Sequence, residues 1–303
     1  MSEPEPQNRK STTKTARRQR VRTDARSDAS QLLKEAAGHI ERSDAEYLLM
    51  HLLGARRHEL QSRPPIPTRT ADRFRRLVAR AEAGEPVQYL TGSAPFLDFD
   101  VHVDRRVLIP RPETEELVAR TLIRIRSGHK RQARKHKLLT VDYGTGSGCI
   151  AIALARALPD AMVLAVDASR AALAVAAENV ARHGLAGRVR LAQARSVNDG
   201  VLSRLRGRLD LLVANPPYVP TPRLARLDKN VRREPRLALD GGPKGANIVA
   251  MLLEHGPSLL KPGGLMAIEV DAAQAAIVHR LVPRADVERD LAGRIRYVFL
   301  TRE

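Results

Sequence analysis

Apolar residues recur along this chain in two rhythms, and the change from one to the other divides it. Between Gln31 and Leu53 the spacing is three or four, through Leu32, Leu33, Ala36 and Ile40, then Ala45, Leu48, Leu49 and Leu52. That period predicts amphipathic helices, with Ser43-Asp44 as a start signal between two of them. Pro64-Pro65-Ile66-Pro67 interrupts the pattern, and Thr70–Ala83 resumes it as a helix ending at Gly84. Short strand-like runs follow at Val87–Leu90, Phe96–Phe99 and Val101–Val103, set among turn residues as in a hairpin. Ile109-Pro110-Arg111-Pro112 then opens a predicted helix over Thr114–Ile125. From Lys137 onward compact apolar runs alternate with helical segments, which predicts an α/β fold: a mostly parallel sheet covered on both faces. Ile295–Leu300 reads as a closing strand. The resulting divisions are a basic arm (1–28), a small helical domain (29–84), a hairpin connector (85–110) and an α/β domain (111–303).

Two of the apolar runs end in chemistry. Leu209–Ala214 delivers Asn215-Pro216-Pro217-Tyr218 to its C-terminal end. The Asn215 carboxamide oxygen can accept one N–H of a planar amide or amine, and the Pro216 carbonyl the other, because proline lacks only the donor. Two consecutive prolines stiffen the turn so that both acceptors are in place before substrate arrives. Tyr218 offers a ring face to a flat group. A rigid turn after a buried strand would need the prolines alone. The second run, Val141-Asp142-Tyr143, enters Gly144-Thr145-Gly146-Ser147-Gly148-Cys149 and a predicted helix over Ile150–Leu158. Alternating glycines allow close approach of a ligand, and the helix start supplies free N–H groups. Met162–Val166 is the next predicted strand, with Asp167 at its end, placed to accept ribose hydroxyls about twenty residues past the glycines. A Rossmann dinucleotide site has the same outline, but its usual fingerprint is G-x-G-x-x-G. A helix-capping turn would explain the glycines alone. Together with the Asn-Pro-Pro-Tyr turn, the pattern points to S-adenosylmethionine as cofactor.

Further blocks carry a resemblance. Gly84–Gly92 (GEPVQYLTG), Leu108–Glu115 (LIPRPETE), the glycine turn, Asn215–Tyr218, Glu234-Pro235, Leu237–Gly242 and the closing Asp290–Arg294 (DLAGR) are together similar to the HemK/PrmC protein-glutamine methyltransferases over roughly residues 30–303. The resemblance implies a class I Rossmann-like methyltransferase sheet with a small N-terminal all-helical domain that recognises the protein substrate. It implies N5-methylation of the glutamine in the Gly-Gly-Gln motif of class I peptide chain release factors. Asn215, Pro216, Pro217 and Tyr218 are then the catalytic set. Gly144, Thr145, Gly146, Ser147, Gly148, Asp167, Ser196 and Asn215 are then the cofactor-binding set. Four positions depart from the family pattern. Arg195 stands where an acidic residue is usual, Asp271 in place of the glycine of Glu-Ile-Gly, Lys244 in place of an aspartate, and Tyr143 in place of a leucine. A sister group acting on a ribosomal-protein glutamine, an amino-methyltransferase acting on nucleic acid, and an inactive RNA- or ribosome-binding homologue are the alternatives.

Composition sets outer bounds. With 303 residues and 43% hydrophobic content, the chain can bury a substantial core. A single cysteine excludes an intrachain disulfide and any cysteine-built zinc site, and no metal is expected. Cys149, at a helix start, reads as a small packing residue. No membrane span or apolar signal core is visible, so a cytoplasmic protein is expected. The net charge of +18 concentrates in Arg9–Arg26, a disordered basic arm by composition, and in Arg124–Lys137, a basic linker or helix extension. Both could attract RNA or the ribosome nonspecifically through phosphate contacts. Only 3% of residues are aromatic, and neither cluster has a base-stacking motif. Glu234 and Asp240 read as loop carboxylates in surface ion pairs.

Overall fold

The computed structural model describes residues 27–62, 65–129 and 137–303. The basic stretch up to Arg26, and Lys130, Arg131, Arg134 and Lys135 of the second cluster, lie outside the described residues. The helical region opens with a two-residue pairing of β1 (Ser27–Asp28) with β2 (Pro65–Ile66). Asp28 then caps α1 (Ala29–Ala36), its side chain accepting from Gln31 N at 2.8 Å. Helix α2 (Arg42–Leu53) begins one residue before the predicted Ser43-Asp44 start and stops at Gly54, which is left-handed. Helix α3 (Thr68–Glu82) is strongly amphipathic. Leu32, Leu48, Leu49, Ile66 and Phe74 are buried together, so this region carries a core of its own.

The run Val87–Leu90, predicted as a strand, is instead the short helix α4 (Val87–Thr91). Its punctuation overrides the β-branched and aromatic composition: Pro86 sits at the N-cap and Gly92 is left-handed at the C-cap. The hairpin follows as β3 (Ser93–Phe96) and β4 (Phe99–His102), in antiparallel register. Phe96 and Phe99, read from sequence as ends of one run, face each other across the turn. Leu97 holds the turn at φ 54°, and its N–H donates to Glu115. Asn179 ties this hairpin to the glycine turn. Its Nδ2 donates to the carbonyls of His102 and Ser147, while its Oδ1 accepts from His102 N.

Helix α5 (Pro112–His129) leads into the central sheet. The strands are β5 (Leu138–Tyr143), β6 (Ala161–Asp167), β7 (Val189–Gln193), β8 (Leu209–Ala214), β9 (Leu260–Glu269), β10 (Asp286–Arg289) and β11 (Ile295–Thr301). Their spatial order is β10-β11-β9-β8-β5-β6-β7. The five strands β5 to β9 run parallel, β11 is antiparallel to β9, and β10 antiparallel to β11. Helices α6 (Cys149–Ala157) and α7 (Arg170–Arg182) pack with α5 on one face. The short α8 (Gly200–Ser203) supports the other, with α10 (Asn247–His255) and α11 (Ala275–Leu281), while α9 (Arg236–Leu239) lies in the loop after β8. Alternation along β8 shows why Leu211–Ala214 is continuously apolar: Leu211 and Val213 enter one core, Leu212 and Ala214 the other. Strand order reverses between β5 and β8, so the carboxyl ends of these two strands flank a crevice of the kind that binds ligands in open α/β sheets.

Arg124, at the start of the second basic cluster, is a structural residue. It pairs with Glu288 and lies 4.2 Å from the centroid of Phe299. No helix among the described residues is long and apolar enough to cross a membrane.

Candidate active site

A cavity of about 180 Å³ opens at the reversal point, above the ends of β5, β6 and β8. Gly144 and Gly146 from the β5 turn, Asp167 from β6, and Asn215 and Pro217 from β8 meet there, residues spread over more than seventy positions of sequence. Gly144, Gly146 and Gly148 all have φ between 55° and 85°, so this turn is open only to glycine at three alternating places. Its far side is anchored from below. Asp142 Oδ2 accepts from Thr145 Oγ1 at 2.6 Å and from Ala151 N at 3.1 Å.

Asp167 is fixed by its own neighbours. Its Oδ2 accepts from Gly146 N at 2.9 Å and its Oδ1 from Ser169 N at 2.8 Å. Burial raises its pKa, and these backbone donors pull in the opposite direction. The carboxylate is thus oriented before any ligand arrives, with its remaining lone pairs toward the cavity. Leu108, Ala168 and Ile248 supply apolar wall. An oriented acceptor, an open backbone turn and an apolar slot fit a nucleoside, so the residues present suit the cofactor expected from the sequence.

Asn215 donates from Nδ2 to Thr114 Oγ1 at 2.8 Å, and Thr114 Oγ1 donates to Glu269 Oε2 at 2.7 Å. No described residue donates to Asn215 Oδ1, which is left to the cavity. The other members of the turn behave differently from the expectation. Pro217 lines the cavity, whereas Pro216 is buried. Tyr218 does not line it. Its hydroxyl donates to Glu269 Oε1 at 3.1 Å, and its ring packs in the lower core within 5.9 Å of the Arg296 guanidinium. Tyr218 supports the turn from behind through its bond to Glu269.

The turn is held by a second glycine segment. Gly241 N donates to Val219 O and Thr221 N to Gly242 O. A Cβ on Gly241 would lie 2.7 Å from Pro217 O, and one on Gly245 2.3 Å from Tyr218 O, so only glycine permits this backbone contact. The sequence blocks at Asn215 and Gly241 are two halves of one packed unit.

Of the remaining predicted cofactor residues, Thr145, Ser147 and Gly148 shape the turn without lining the cavity. Ser196 also stays outside it, accepting from Asn198 N through Oγ. Cys149 is buried, and burial pushes its thiol up to about 12, in keeping with packing rather than reactivity. Glu234 corrects the surface-pair expectation. It is 5% exposed, accepts from Ile109 N at 3.0 Å and pairs with Arg111, joining the connector to the loop before α9. Asp240 lines the cavity and accepts from Thr221 Oγ1 and Gly242 N, with Arg236 as its ion partner.

Residues 24–92 match the family model described as "PrmC N-terminal domain", and residues 129–226 match "Methyltransferase small domain". The release factor glutamine methyltransferase of Moorella thermoacetica is 43% identical over 272 residues, covering 86% of this chain and 92% of that protein. Its counterpart from Chlorobaculum tepidum is 41% identical over 244 residues, covering 80% and 82%. The chain belongs to the release factor glutamine methyltransferase family. Among solved structures, the hMettl16 catalytic domain in complex with MAT2A 3'UTR hairpin 1 matches over 80% of this chain and 84% of its own, at a TM-score of 0.50 and 14% identity, which shows a shared fold.

Within that family the four departures acquire physical explanations or lose relevance. The Tyr143 hydroxyl donates to the backbone carbonyl of residue 195 at 2.8 Å, a role leucine could not fill. The Arg195 side chain is exposed at the cavity rim. Asp271 caps a short helical turn in a reciprocal box with Gln274, a role glycine could not perform. Lys244 is exposed and away from the cavity. Three supporting residues were missed from sequence. Asn179 was legible as a polar residue on the otherwise apolar face of α7, Glu269 as a carboxylate ending a buried strand, and Thr114 only through its block.

Proposed function

We propose that this chain transfers a methyl group from S-adenosylmethionine to the side-chain nitrogen (N5) of the glutamine in the Gly-Gly-Gln motif of class I peptide chain release factors. The observation that carries this reading is the Asn215 carboxamide, with its oxygen turned to the same cavity that the glycine turn and Asp167 line. The cofactor supplies an electrophilic methyl on sulfonium. Gly144, Gly146 and Asp167 would hold its nucleoside end, and Leu108 and Ile248 would exclude water around it.

An amide nitrogen is a poor nucleophile because its lone pair is delocalised into the carbonyl. Asn215 Oδ1 accepts one of its N–H groups and orients the lone pair toward the methyl. As the new N–C bond forms and the S–C bond breaks, positive charge grows on nitrogen and this hydrogen bond strengthens, which is where the stabilisation is selective for the transition state. The nitrogen then loses one proton to solvent, its acidity raised by the transfer, so no dedicated base is required. The second acceptor is the Pro216 carbonyl, which no described residue engages, while Pro217 forms the cavity wall and its carbonyl packs toward Gly241. A net charge of +18 supports added, nonspecific attraction to RNA or the ribosome.

The test is transfer of labelled methyl to a purified class I release factor by wild type and Asn215→Ala, and to a release factor lacking the motif glutamine. Label is expected only where both residues are present, with kcat for Asn215→Ala down by about a hundredfold or more. Label that reaches RNA or a ribosomal protein while sparing the release factor would overturn the substrate assignment.

A further inference from the structure

We propose that Thr114 and Glu269 are a positioning pair that locks the Asn215 amide with its oxygen toward the substrate and its nitrogen toward the core. The inference deepens the glutamine-methylation reading and rests on it for its kinetic consequence.

The reasoning is a count of hydrogens. A threonine hydroxyl carries one proton, and Thr114 Oγ1 has two neighbours at hydrogen-bond distance, Asn215 at 2.8 Å and Glu269 Oε2 at 2.7 Å. An ionised carboxylate has nothing to donate, so it must receive the Thr114 proton. Thr114 can then only accept from Asn215, which must present its NH₂ group. The carboxamide oxygen is thereby forced outward, into the cavity. The pair is enclosed: Thr114 is 2% exposed and Glu269 fully buried, so no water competes for the bond.

The groups facing Glu269 support its ionised form from several elements. Tyr218 donates to Oε1, and the Arg296 guanidinium of β11 attracts it, whereas Glu113 at the start of α5 repels it. Arg296 is itself held by Asp290 at 3.4 Å and by the carbonyl of Val270 at 3.3 Å. Asp290 accepts from Arg294 N, so the closing Asp-Leu-Ala-Gly-Arg block is the turn that seats this cation behind the active site. The chain of interactions runs from Asp290 to Arg296, from Arg296 over the Tyr218 ring to Glu269, and on through Thr114 to Asn215.

Protonation of Glu269 reverses the order. Its O–H would donate to Thr114, whose hydroxyl would turn to Asn215 and require the amide oxygen inward. The NH₂ would then face the cavity, a donor opposite the substrate's N–H groups. Burial pushes the Glu269 carboxyl up to about 7, with Thr114 and Tyr218 pulling it down. Activity is therefore present above that pH and lost as pH falls through it.

Two readouts test the pair. In methyl transfer, Thr114→Val should lower kcat about tenfold or more with cofactor affinity kept, Thr114→Ser should restore it to within about threefold, and Glu269→Gln should flatten the acid limb. The second readout needs no substrate: the ¹H–¹⁵N signal of the Asn215 side-chain amide, assigned by its loss in Asn215→Asp. It should titrate near pH 7 in wild type and Thr114→Ser and stay fixed in Glu269→Gln. An amide signal that titrates equally in Glu269→Gln, or a folded Thr114→Val with full kcat, overturns the inference. Absence of transfer by wild type would instead remove the glutamine-methylation reading, while the amide signal still decides the pair. Because Glu269→Gln preserves shape, it remains informative if Thr114→Val fails to fold.

Discussion

Asp142 lies beneath the glycine turn with no exposure, and its Oδ1 has no hydrogen-bond partner among the described residues, although Oδ2 has two. Burial, assisted by nearby Asp167, pushes its carboxyl up to about 7. A carboxyl raised in the folded state binds more protons there than in the unfolded chain. Its stabilising effect is thus complete below pH 4 and is lost as pH rises through 7. Asp142→Asn removes that titration while leaving Asp167, Glu234 and Glu269 in place. The midpoint of thermal unfolding of wild type, relative to Asp142→Asn, should fall by several degrees between pH 5 and pH 8. A constant difference across that range would mean that Asp142 is ionised throughout. At this scale sequence gave residue types but not roles. Tyr218 was legible as part of the turn, yet whether its ring faces substrate or core depends on where β9 places Glu269.

Among the elements, β5, β6, β8 and β11 were legible because burial on both faces leaves a mostly apolar run with a turn at its end. Leu209–Ala214 is broken only by Asp210, and Ile295–Leu300 only by Arg296. Val87–Leu90 misled because so short a run has no period of its own, and Pro86 and Gly92 decided for helix. The loop from Gly241 to Gly245 is the element that holds the Asn-Pro-Pro-Tyr turn, and its glycines are a contact requirement. Gly245 has φ 69°, and an added Cβ would lie 2.3 Å from Tyr218 O and 3.0 Å from Pro220 N. Gly245→Ala should cost about 1–3 kcal/mol, seen as a lower unfolding midpoint, and displace the turn enough to reduce methyl transfer more than cofactor binding. Unchanged transfer with lowered stability would separate the loop from catalysis.

At the scale of the molecule, a groove of about 610 Å³ separates the helical region from the catalytic sheet. Gly38, Glu41 and Asp44 line one side, Lys229 and Asn230 another, and Ile109, Arg111 and Glu234 form the wall nearest the cavity. The Arg111–Glu234 pair therefore stands between groove and cavity, with Leu108 and Pro235 on the far side. A protein substrate delivering one glutamine to the cavity would cross this groove. Asp44→Lys, a change of charge at its far edge, should raise KM for the release factor severalfold and leave cofactor affinity unchanged. Equal KM for both proteins would place the substrate elsewhere.

The sequence by itself determined the alternation of the sheet, the helical region before it, the glycine turn, the position of Asp167 and the acceptor Asn215. Each is a local property: a hydrophobic period, a backbone conformation only glycine adopts, or a side chain at the end of a strand. The tertiary structure alone decided which partners complete them. Thr114 and Glu269 lie 155 positions apart, and Ile109 and Glu234 lie 125 apart, so nothing in either neighbourhood announces the bond. A hydrogen bond has no sequence period. Its existence depends on two elements arriving at one place, and here the packing of α5 on β9 brings Thr114 to Glu269.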